Sequence, residues 1–148
     1  QYVERLSKAK AMWVGSNIEG YAVLAADTVV CLDGDVLEKP ADEGHARSLL
    51  RALSGRWHEV FTGVCLRRLA DGRVVVGHER SRVLFSPLSE REIASYVATG
   101  EPMDKAGAYG IQGYGGLLVQ RIEGCYFNVM GLPLARLRRL AHEMEEGS

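Results

Sequence analysis

The segment from Asp104 to Gly113 contains an acid, a lysine, a glutamine and three glycines within ten residues. Glycine lets backbone N–H groups approach a ligand closely, lysine neutralises phosphate charge, and a glutamine amide both donates and accepts hydrogen bonds on the edge of a base. A glycine-rich turn between strands would have the same composition. The segment taken alone therefore leaves two equal alternatives, a turn and a ligand-binding site.

Asp27 is the first candidate catalytic residue. It directly follows the apolar run 21–26, which predicts a strand buried on both faces. Ligands of open α/β sheets bind where such strands end, and a carboxylate there could hold Mg²⁺ or take a proton from water. A turn or helix-capping role would explain the same residue, and the residue type alone favours that structural role slightly.

Two lysines are candidate phosphate ligands. Pro40 stiffens the backbone directly after Lys39 and would aim its ammonium group reproducibly, and Lys10 lies on a predicted opening helix. Most lysines are solvated surface groups, so a surface role is the alternative for both. His58 is a lone histidine in a predicted strand, a setting more typical of a structural role than of a catalytic one.

Several common hydrolase signatures are absent from the sequence. It contains no Ser-His-Asp order, no G-x-S-x-G elbow, no Walker loop and no H-E-x-x-H motif. The candidate residues that remain are an acid, several lysines, a glutamine and glycine-rich turns. This combination suits metal-assisted attack on a phosphoryl group of a nucleotide.

Composition limits the class of protein and of partner. A chain of 148 residues with 47% apolar residues predicts one domain, and a net charge of -1 offers no broad attraction for a nucleic acid polymer or an anionic membrane. Cys31, Cys65 and Cys125 have no C-x-x-C spacing, which argues against a disulfide framework or a zinc site. Apolar runs stay below the roughly 18 residues of a membrane span. We therefore expect a cytoplasmic protein that binds a small partner.

Hydrophobic periodicity predicts an α/β fold in which a mixed twisted sheet is flanked by helices. Asp33-Gly34 and Asp71-Gly72 predict turns between strands, and Asp42 and Ser89 are predicted helix N-caps. The predicted strands cover residues 21–26, 29–32, 58–66, 73–76, 82–85, 117–119 and 126–129, and the predicted helices begin near residues 2, 42, 89 and 133.

Short motifs in a fixed order carry a family resemblance. They are Tyr2-Val3 to Arg5-Leu6 with Lys10-Ala11, Ala26-Asp27-Thr28-Val29-Val30, Leu37-Glu38-Lys39-Pro40, Leu53-Ser54-Gly55, His58 to Gly63, Tyr96-Val97 with Gly100-Glu101-Pro102, Asp104 to Gly113, and Asn128-Val129 with Gly131-Leu132-Pro133-Leu134. Together they resemble the Maf family of nucleoside triphosphate pyrophosphatases, whose fold is similar to that of the inosine triphosphate pyrophosphatases. The resemblance covers residues 1–148 as a single Maf-like domain.

The resemblance implies hydrolysis of a nucleoside triphosphate to the monophosphate and pyrophosphate with a divalent cation, Mg²⁺ or Mn²⁺. Asp27 matches the catalytic acid of the family, taken as the proton acceptor for water, and is also the candidate metal ligand. Lys10, Lys39 and Lys105 match lysines that are expected to line the triphosphate. A homodimer is the oligomeric state that the resemblance suggests.

Base selection is the second implication. Thr28 and Gln112 match family positions that are associated with it, and the form of segment 105–113 resembles the branch that acts on dTTP and UTP rather than the branch associated with 7-methyl-GTP. An amide can pair with both a carbonyl and an N–H on one pyrimidine edge, so Gln112 is a suitable side chain to recognise uracil or thymine.

The front of the family pattern is not in the sequence, which leaves other functions open. The family normally begins with a strand, a Ser-x-Ser-Pro-Arg-Arg loop and an acidic segment, and the arginines would be the main bidentate phosphate ligands. We therefore expect a chain that is N-terminally truncated relative to the family. A catalytically silent nucleotide-binding or cell-division regulatory module is the alternative function, and a house-cleaning activity on modified bases is a third.

Overall fold

The computed structural model describes residues 3–5, 8 and 22–146. Five strands form one sheet in the order β2-β1-β3-β4-β5. β1 and β2 are antiparallel with Cys31 opposite Val36, and β4 and β5 are antiparallel with Val83 opposite Ile122. The strands are β1 Ala22–Leu32, β2 Asp35–Leu37, β3 Trp57–Arg68, β4 Val74–Phe85 and β5 Val119–Glu123.

Four α-helices lie wholly within the described residues, and they confirm the predicted α/β class. They are α1 Glu43–Leu53, α2 Glu90–Ala98, α3 Tyr126–Met130 and α4 Leu134–Glu146. Three short 3₁₀ helices, Glu101–Asp104, Ala106–Ala108 and Gly113–Leu118, connect α2 to β5. In the described part of the chain, no helix is long and apolar enough to cross a membrane.

Side-chain caps fix the starts of two helices where the sequence predicts them. The Asp42 carboxylate accepts the His45 N–H at 2.7 Å, and the Ser89 hydroxyl accepts the Glu92 N–H at 3.1 Å. Each bond satisfies a backbone donor that has no partner within the helix. Gly100 follows α2 with φ +77°, a conformation that ends the helix and that glycine adopts without strain.

The predicted turn at Asp33-Gly34 is confirmed. Both residues have positive φ, 52° and 84°, as a two-residue hairpin between β1 and β2 requires. The predicted hairpin at Asp71-Gly72 is confirmed as well, since the Arg68 N–H donates to the Arg73 carbonyl at 2.8 Å between β3 and β4.

Several predicted element boundaries are wrong. Residues 22–26 and 29–32 belong to one strand, β1, and residues 74–76 and 82–85 both belong to β4. Polar residues in the middle of each run suggested breaks, but a strand tolerates them wherever one face is accessible to solvent. β1 is also not buried on both faces, because Leu24 is 43% exposed.

The region after residue 113 differs most from the prediction. Residues 126–129 form helix α3 rather than a strand, and Leu117 and Leu118 end a 3₁₀ helix, so that β5 begins only at Val119. Short apolar runs do not distinguish strand from helix, and tertiary contacts decide the outcome. Of the predicted opening helix, residues 3–5 are helical, while Lys10 lies outside the described residues.

The chain divides into two compact units, which are described separately. The first contains Gln1–Thr28, Phe61–Arg80 and Phe127–Ser148. Its buried side chains include Val23, Val64, Cys65, Leu140 and Met144. Gly77 on β4 permits close packing of α4, because a Cβ there would lie 2.9 Å from Arg136 Cδ and 3.2 Å from Leu140 Cδ2.

The second unit contains Val29–Val60 and Ser81–Tyr126. Its core combines the buried faces of α1 and α2 with side chains from β3 and β4. These buried residues include Leu49, Leu50, Leu53, Val60, Val83, Phe85, Ile93 and Val97.

All three cysteines of the chain, Cys31, Cys65 and Cys125, are free thiols, in agreement with the expectation that no disulfide framework is present.

Candidate active site

Asp27 and Thr28 lie next to each other on β1 and are both partly exposed. β1 continues to Leu32. The prediction that Asp27 lies where a strand ends is therefore wrong. The carboxylate is instead carried by the interior of a long strand that is held by neighbours on either side. A sheet strand restricts backbone motion more than a loop does, which suits a side chain that must be aimed reproducibly.

Thr28 is the first member of a hydroxyl chain in the first unit. Its Oγ1 lies 2.9 Å from Oγ1 of Thr62, which in turn donates to the backbone carbonyl of Asn128 at 3.1 Å. Thr62 lies on β3, and Asn128 lies on α3. These hydrogen bonds therefore link the Ala26-Asp27-Thr28 motif to two further motifs of the resemblance.

Gly131 follows α3 and also borders Thr28. A Cβ on Gly131 would lie 3.6 Å from Thr28 Oγ1, and the Gly131 φ of +114° is one that side chains rarely adopt. The Gly131 N–H donates to the Asn128 carbonyl at 3.0 Å. The backbone that follows α3 therefore lies close to the Thr28 hydroxyl.

In the second unit, the predicted phosphate ligands Lys39 and Lys105 both lower the pKa of the Asp104 carboxyl group. Lys105 Nζ donates to Asp104 Oδ1 at 2.9 Å and to the Glu101 carbonyl at 3.3 Å. The Lys105 hydrogen bond and charge, with a smaller contribution from the charge of Lys39, lower the pKa of Asp104. The structure therefore brings Lys39 and Lys105 together around Asp104, whose side chain is 80% exposed.

The backbone of segment 104–113 is fastened to the segment that carries Lys39. The Gly107 N–H donates to the Glu38 carbonyl at 3.2 Å. Gly107 has φ +72°, and a Cβ there would lie 3.0 Å from Val30 Cγ1. A Cβ on Gly110 would lie 2.6 Å from Cε of Lys105, a clash that the flexible lysine side chain can relieve by moving. Gly107 and Gly113, at φ +72° and +73°, are thus required by the backbone conformation, and Gly107 also by close packing.

Glu101 and Tyr96 hold the loop that contains Gln112. The Tyr96 hydroxyl donates to Glu101 Oε1 at 2.9 Å, and the same carboxylate accepts the N–H groups of Tyr114 and Gly115, each at 3.0 Å. The Gly110 N–H donates to the Tyr96 hydroxyl oxygen at 3.3 Å. Backbone on either side of the exposed Gln112 is therefore fixed. We name Tyr96, Glu101 and these three N–H groups the Glu101 network.

Two opposing effects act on the pKa of Glu101. Burial raises it, but the Gly115 N–H, the Tyr96 hydroxyl and the Tyr114 N–H stabilise the carboxylate, and the pKa is lowered overall. Burial is also the largest of the causes that raise the pKa of Tyr96. Glu101 is therefore an ionised acceptor and Tyr96 a neutral donor at neutral pH, as the network requires.

His58 has a structural environment. It is 2% exposed, and its Nε2 lies 2.6 Å from the Tyr109 hydroxyl. Its ring also makes edge contacts with Phe85 and Tyr109, at centroid distances of 5.1 and 5.3 Å. Burial lowers the pKa of His58 to about 4, so the ring is neutral at physiological pH. These contacts agree with the structural role that was expected for His58.

Most of the candidate residues are predictable from the sequence, but no sequence pattern assigned a role to Tyr96, Glu101 or Thr62. All three belong to quoted motifs, so the signal was their position in those motifs. Asp27 and Thr28 belong to the first unit, and Lys39, Lys105 and Gln112 belong to the second. Lys10 lies outside the described residues.

Among the described residues, Asp27 is the candidate ligand for a divalent cation. Within residues 3–5, 8 and 22–146, no group of three or more His, Cys, Asp or Glu side chains could hold a metal ion. Mg²⁺ often binds through one or two carboxylates, with substrate phosphates and water completing its shell. A single carboxylate at Asp27 fits this mode of binding, whereas it would not fit a metal held by protein ligands alone.

Comparison with known proteins gives a consistent result. A family model described as Maf-like protein matches residues 1–144. A dTTP/UTP pyrophosphatase of Clostridium perfringens (strain SM101 / Type A) is 54% identical over 138 residues, which are 93% of this chain and 72% of the relative. One from Carboxydothermus hydrogenoformans is also 54% identical over 138 residues, 93% of this chain and 74% of the relative. One from Clostridium tetani is 45% identical over 146 residues, 97% of this chain and 76% of the relative. Because the family model and these relatives cover nearly the whole sequence, the chain belongs to the Maf family.

Proposed function

We propose that this protein is a pyrophosphatase that hydrolyses dTTP and UTP to the monophosphate and pyrophosphate. The observation that carries the proposal is the 54% identity, over 93% of the chain, to a relative named dTTP/UTP pyrophosphatase. The organised backbone of segment 104–113 supports it. Gly107 and Gly113 adopt the positive φ that its backbone requires, while Lys105 is partly exposed and Gln112 is exposed.

Lys39 and Lys105 bind the triphosphate in this proposal, together with Lys10. The ammonium groups of Lys105 and Lys39 both act on the exposed Asp104 carboxylate, and a bound triphosphate would compete with that carboxylate for them. Lysine is an effective point charge for phosphate. The Lys105 ammonium group is held by the Asp104 carboxylate at 2.9 Å and by the Glu101 carbonyl at 3.3 Å.

Asp27 acts as the general base. It accepts a proton from the attacking water, whose oxygen forms a bond to the α-phosphorus while the bond to the bridging oxygen breaks and pyrophosphate leaves. Mg²⁺ or Mn²⁺, bound through Asp27 and phosphate oxygens, would supply neutralisation of the phosphate charge. Asp27 is partly exposed on β1, as a residue that takes a proton from water requires.

Thr28 and Gln112 select the base. The Gln112 amide can donate to a carbonyl of uracil or thymine, and the Glu101 network holds the backbone on either side of it. A loop that is fixed before binding loses less conformational entropy when the ligand arrives. Hydrolysis of both dTTP and UTP further requires that the site tolerate the thymine 5-methyl group.

The remaining expectations also stay proposals. The continuous family match over residues 1–144 supports one Maf-like domain, even though the chain divides into two compact units. A homodimer and a cytoplasmic location follow from the family resemblance and from the composition, and both can be tested by sedimentation and by localisation of the tagged protein.

A substrate panel tests the proposed activity. The protein is incubated with dTTP, UTP, CTP, ATP, GTP and ITP in the presence of Mg²⁺ or Mn²⁺, and pyrophosphate and orthophosphate are measured separately. We expect pyrophosphate from dTTP and UTP and a loss of at least about 100-fold in kcat for Asp27→Asn. Asp35→Asn, which changes an exposed acid on β2, is the matched control.

Three results would contradict the proposal. Binding of UTP without release of pyrophosphate would favour the catalytically silent module. Preference for ITP would favour house-cleaning of modified purine nucleotides. Equal activity of Asp27→Asn and the unchanged protein would remove Asp27 from the mechanism.

A further inference from the structure

The hydroxyl of Thr62 has a fixed direction. Thr62 is 0% exposed, so its hydroxyl cannot bind bulk water. A hydroxyl has one proton to donate, and the Asn128 carbonyl, which has no proton on its oxygen, must be the acceptor in the 3.1 Å contact. The Thr62 proton is therefore committed to Asn128.

The direction of the Thr28 hydroxyl follows from this. The oxygens of Thr28 and Thr62 are 2.9 Å apart, which is a hydrogen-bond distance that requires one proton between them. Because the Thr62 proton points to Asn128, the shared proton must come from Thr28. Thr28 then offers only oxygen lone pairs to any group that approaches it from the other side.

We propose that Thr62 is a positioning residue for base selection, because it turns the Thr28 hydroxyl into an obligatory hydrogen-bond acceptor for the nucleobase. The inference rests on the proposed function, in which Thr28 contacts the base. It adds a specific consequence, namely a preference for a base with an N–H donor over a base of similar shape that presents an acceptor at that position.

Uracil and cytosine differ in this property. N3 of uracil and of thymine carries a proton, whereas N3 of neutral cytosine is an acceptor. An obligatory acceptor at Thr28 pairs with the former and faces the lone pair of the latter. A site built to bond a particular donor rejects an analogue without it strongly, because the polar group of the protein is left without a partner.

The test compares UTP with CTP in four variants. Thr62→Val keeps the shape of the side chain and removes the hydroxyl, and Thr62→Ser keeps the hydroxyl. Thr28→Val and the double variant Thr28→Val/Thr62→Val complete a double-mutant cycle. The measured quantity is the ratio of kcat/KM for UTP to kcat/KM for CTP, and thermal unfolding checks that each variant is folded.

The inference predicts that Thr62→Val lowers this ratio by about 10-fold or more, since a released Thr28 hydroxyl can rotate and donate to N3 of cytosine. Thr62→Ser should restore the ratio. In the Thr28→Val background, removal of the Thr62 hydroxyl should leave the ratio unchanged, because no Thr28 hydroxyl remains to be directed.

A proportional fall of kcat/KM for both nucleotides in Thr62→Val would show a merely structural role and would overturn the inference. If Thr62→Val does not fold, Thr28→Val and Thr28→Ser decide: the first must lower the ratio and the second must keep it, and an unchanged ratio in Thr28→Val overturns the inference. Failure of the proposed function is distinguishable, because the unchanged protein would then release no pyrophosphate from UTP.

Discussion

The hydroxyl of Tyr96, in the last turn of α2, donates a 2.9 Å hydrogen bond to the carboxylate of Glu101, which begins the next 3₁₀ helix. The same carboxylate accepts two backbone N–H groups beyond Gln112, and the Tyr96 oxygen accepts one before it. This pair of side chains therefore determines the conformation of the loop that presents Gln112. In the proposed function, the geometry of base recognition therefore depends on residues that need not touch the base.

Replacement of Glu101 by glutamine tests this dependence. The amide loses the negative charge that stabilises three donors, and its NH₂ group cannot accept a hydrogen bond. We expect a loss of about 1–3 kcal/mol in the free energy of unfolding and a higher KM for UTP with a smaller change in kcat. Glu92→Gln, which changes an exposed carboxylate on α2, should alter neither quantity. A kcat defect without a KM defect would contradict a role in positioning Gln112.

Acid destabilisation should depend on His58. Burial lowers its pKa from 6.5 to about 4, so the unfolded chain binds a proton at a higher pH than the folded protein does. The stabilising contribution of neutral His58 is complete above pH 6.5 and is lost as the pH falls from 6.5 towards 4. Its size is of the order of 3 kcal/mol.

Denaturant unfolding across this pH range measures the effect. His58→Phe removes the titrating group and should flatten the pH dependence, although it also removes the hydrogen bond to Tyr109. His142→Gln changes an exposed histidine on α4 and should leave the slope unchanged. An equal slope in the unchanged protein and in His58→Phe would show that His58 does not determine acid stability.

Nucleotide binding should depend on Lys39 and Lys105 but not on Lys8. Lys39→Met and Lys105→Met each remove an ammonium group next to Asp104 and should raise the dissociation constant of a non-hydrolysable UTP analogue about 10-fold. Lys8→Met changes an exposed lysine of the first unit and serves as the control. Calorimetry gives the three constants directly, and similar values for all three variants would remove Lys39 and Lys105 from the phosphate site.

A methyl group at position 115 should disturb the same loop. A Cβ on Gly115 would overlap the Gly110 carbonyl oxygen and would lie 2.7 Å from the Tyr96 hydroxyl. We expect Gly115→Ala to lower the free energy of unfolding by about 1–3 kcal/mol and to raise KM for UTP. Gly44→Ala adds a methyl group within helix α1 with its nearest contact at 3.4 Å, and it should be neutral or stabilising. Equal melting temperatures for the two variants would contradict the predicted overlap.

Local sequence signals predicted the parts of the fold that depend on local chemistry. Asp42, Ser89 and Gly100 define helix ends through hydrogen bonds and backbone angles within a few residues, and Asp33-Gly34 defines a hairpin in the same way. The prediction of a strand at 126–129 was wrong because a short apolar run fits either a strand or a helix. The structure shows a helix whose buried Asn128 supplies a carbonyl to Thr62, a contact between residues distant in sequence.

The residues of the candidate site also fall into two groups, those that the sequence predicts and those that only the folded chain reveals. Asp27, Lys39, Lys105 and Gln112 were named because their side chains suit the chemistry and because their motifs resemble a family. Thr62, Tyr96 and Glu101 act through partners that only the folded chain brings close. The hydroxyl direction at Thr28, for example, requires the distance between β1 and β3 and the carbonyl of α3.

Attack of water on the α-phosphorus is the central claim, and hydrolysis of UTP in ¹⁸O-labelled water tests it most directly. Mass spectrometry of the products locates the oxygen that water supplies. The proposed mechanism predicts one labelled oxygen in UMP and none in pyrophosphate, with no labelled UMP above background from Asp27→Asn. Label in pyrophosphate or in orthophosphate would show attack at another phosphorus and would contradict the mechanism.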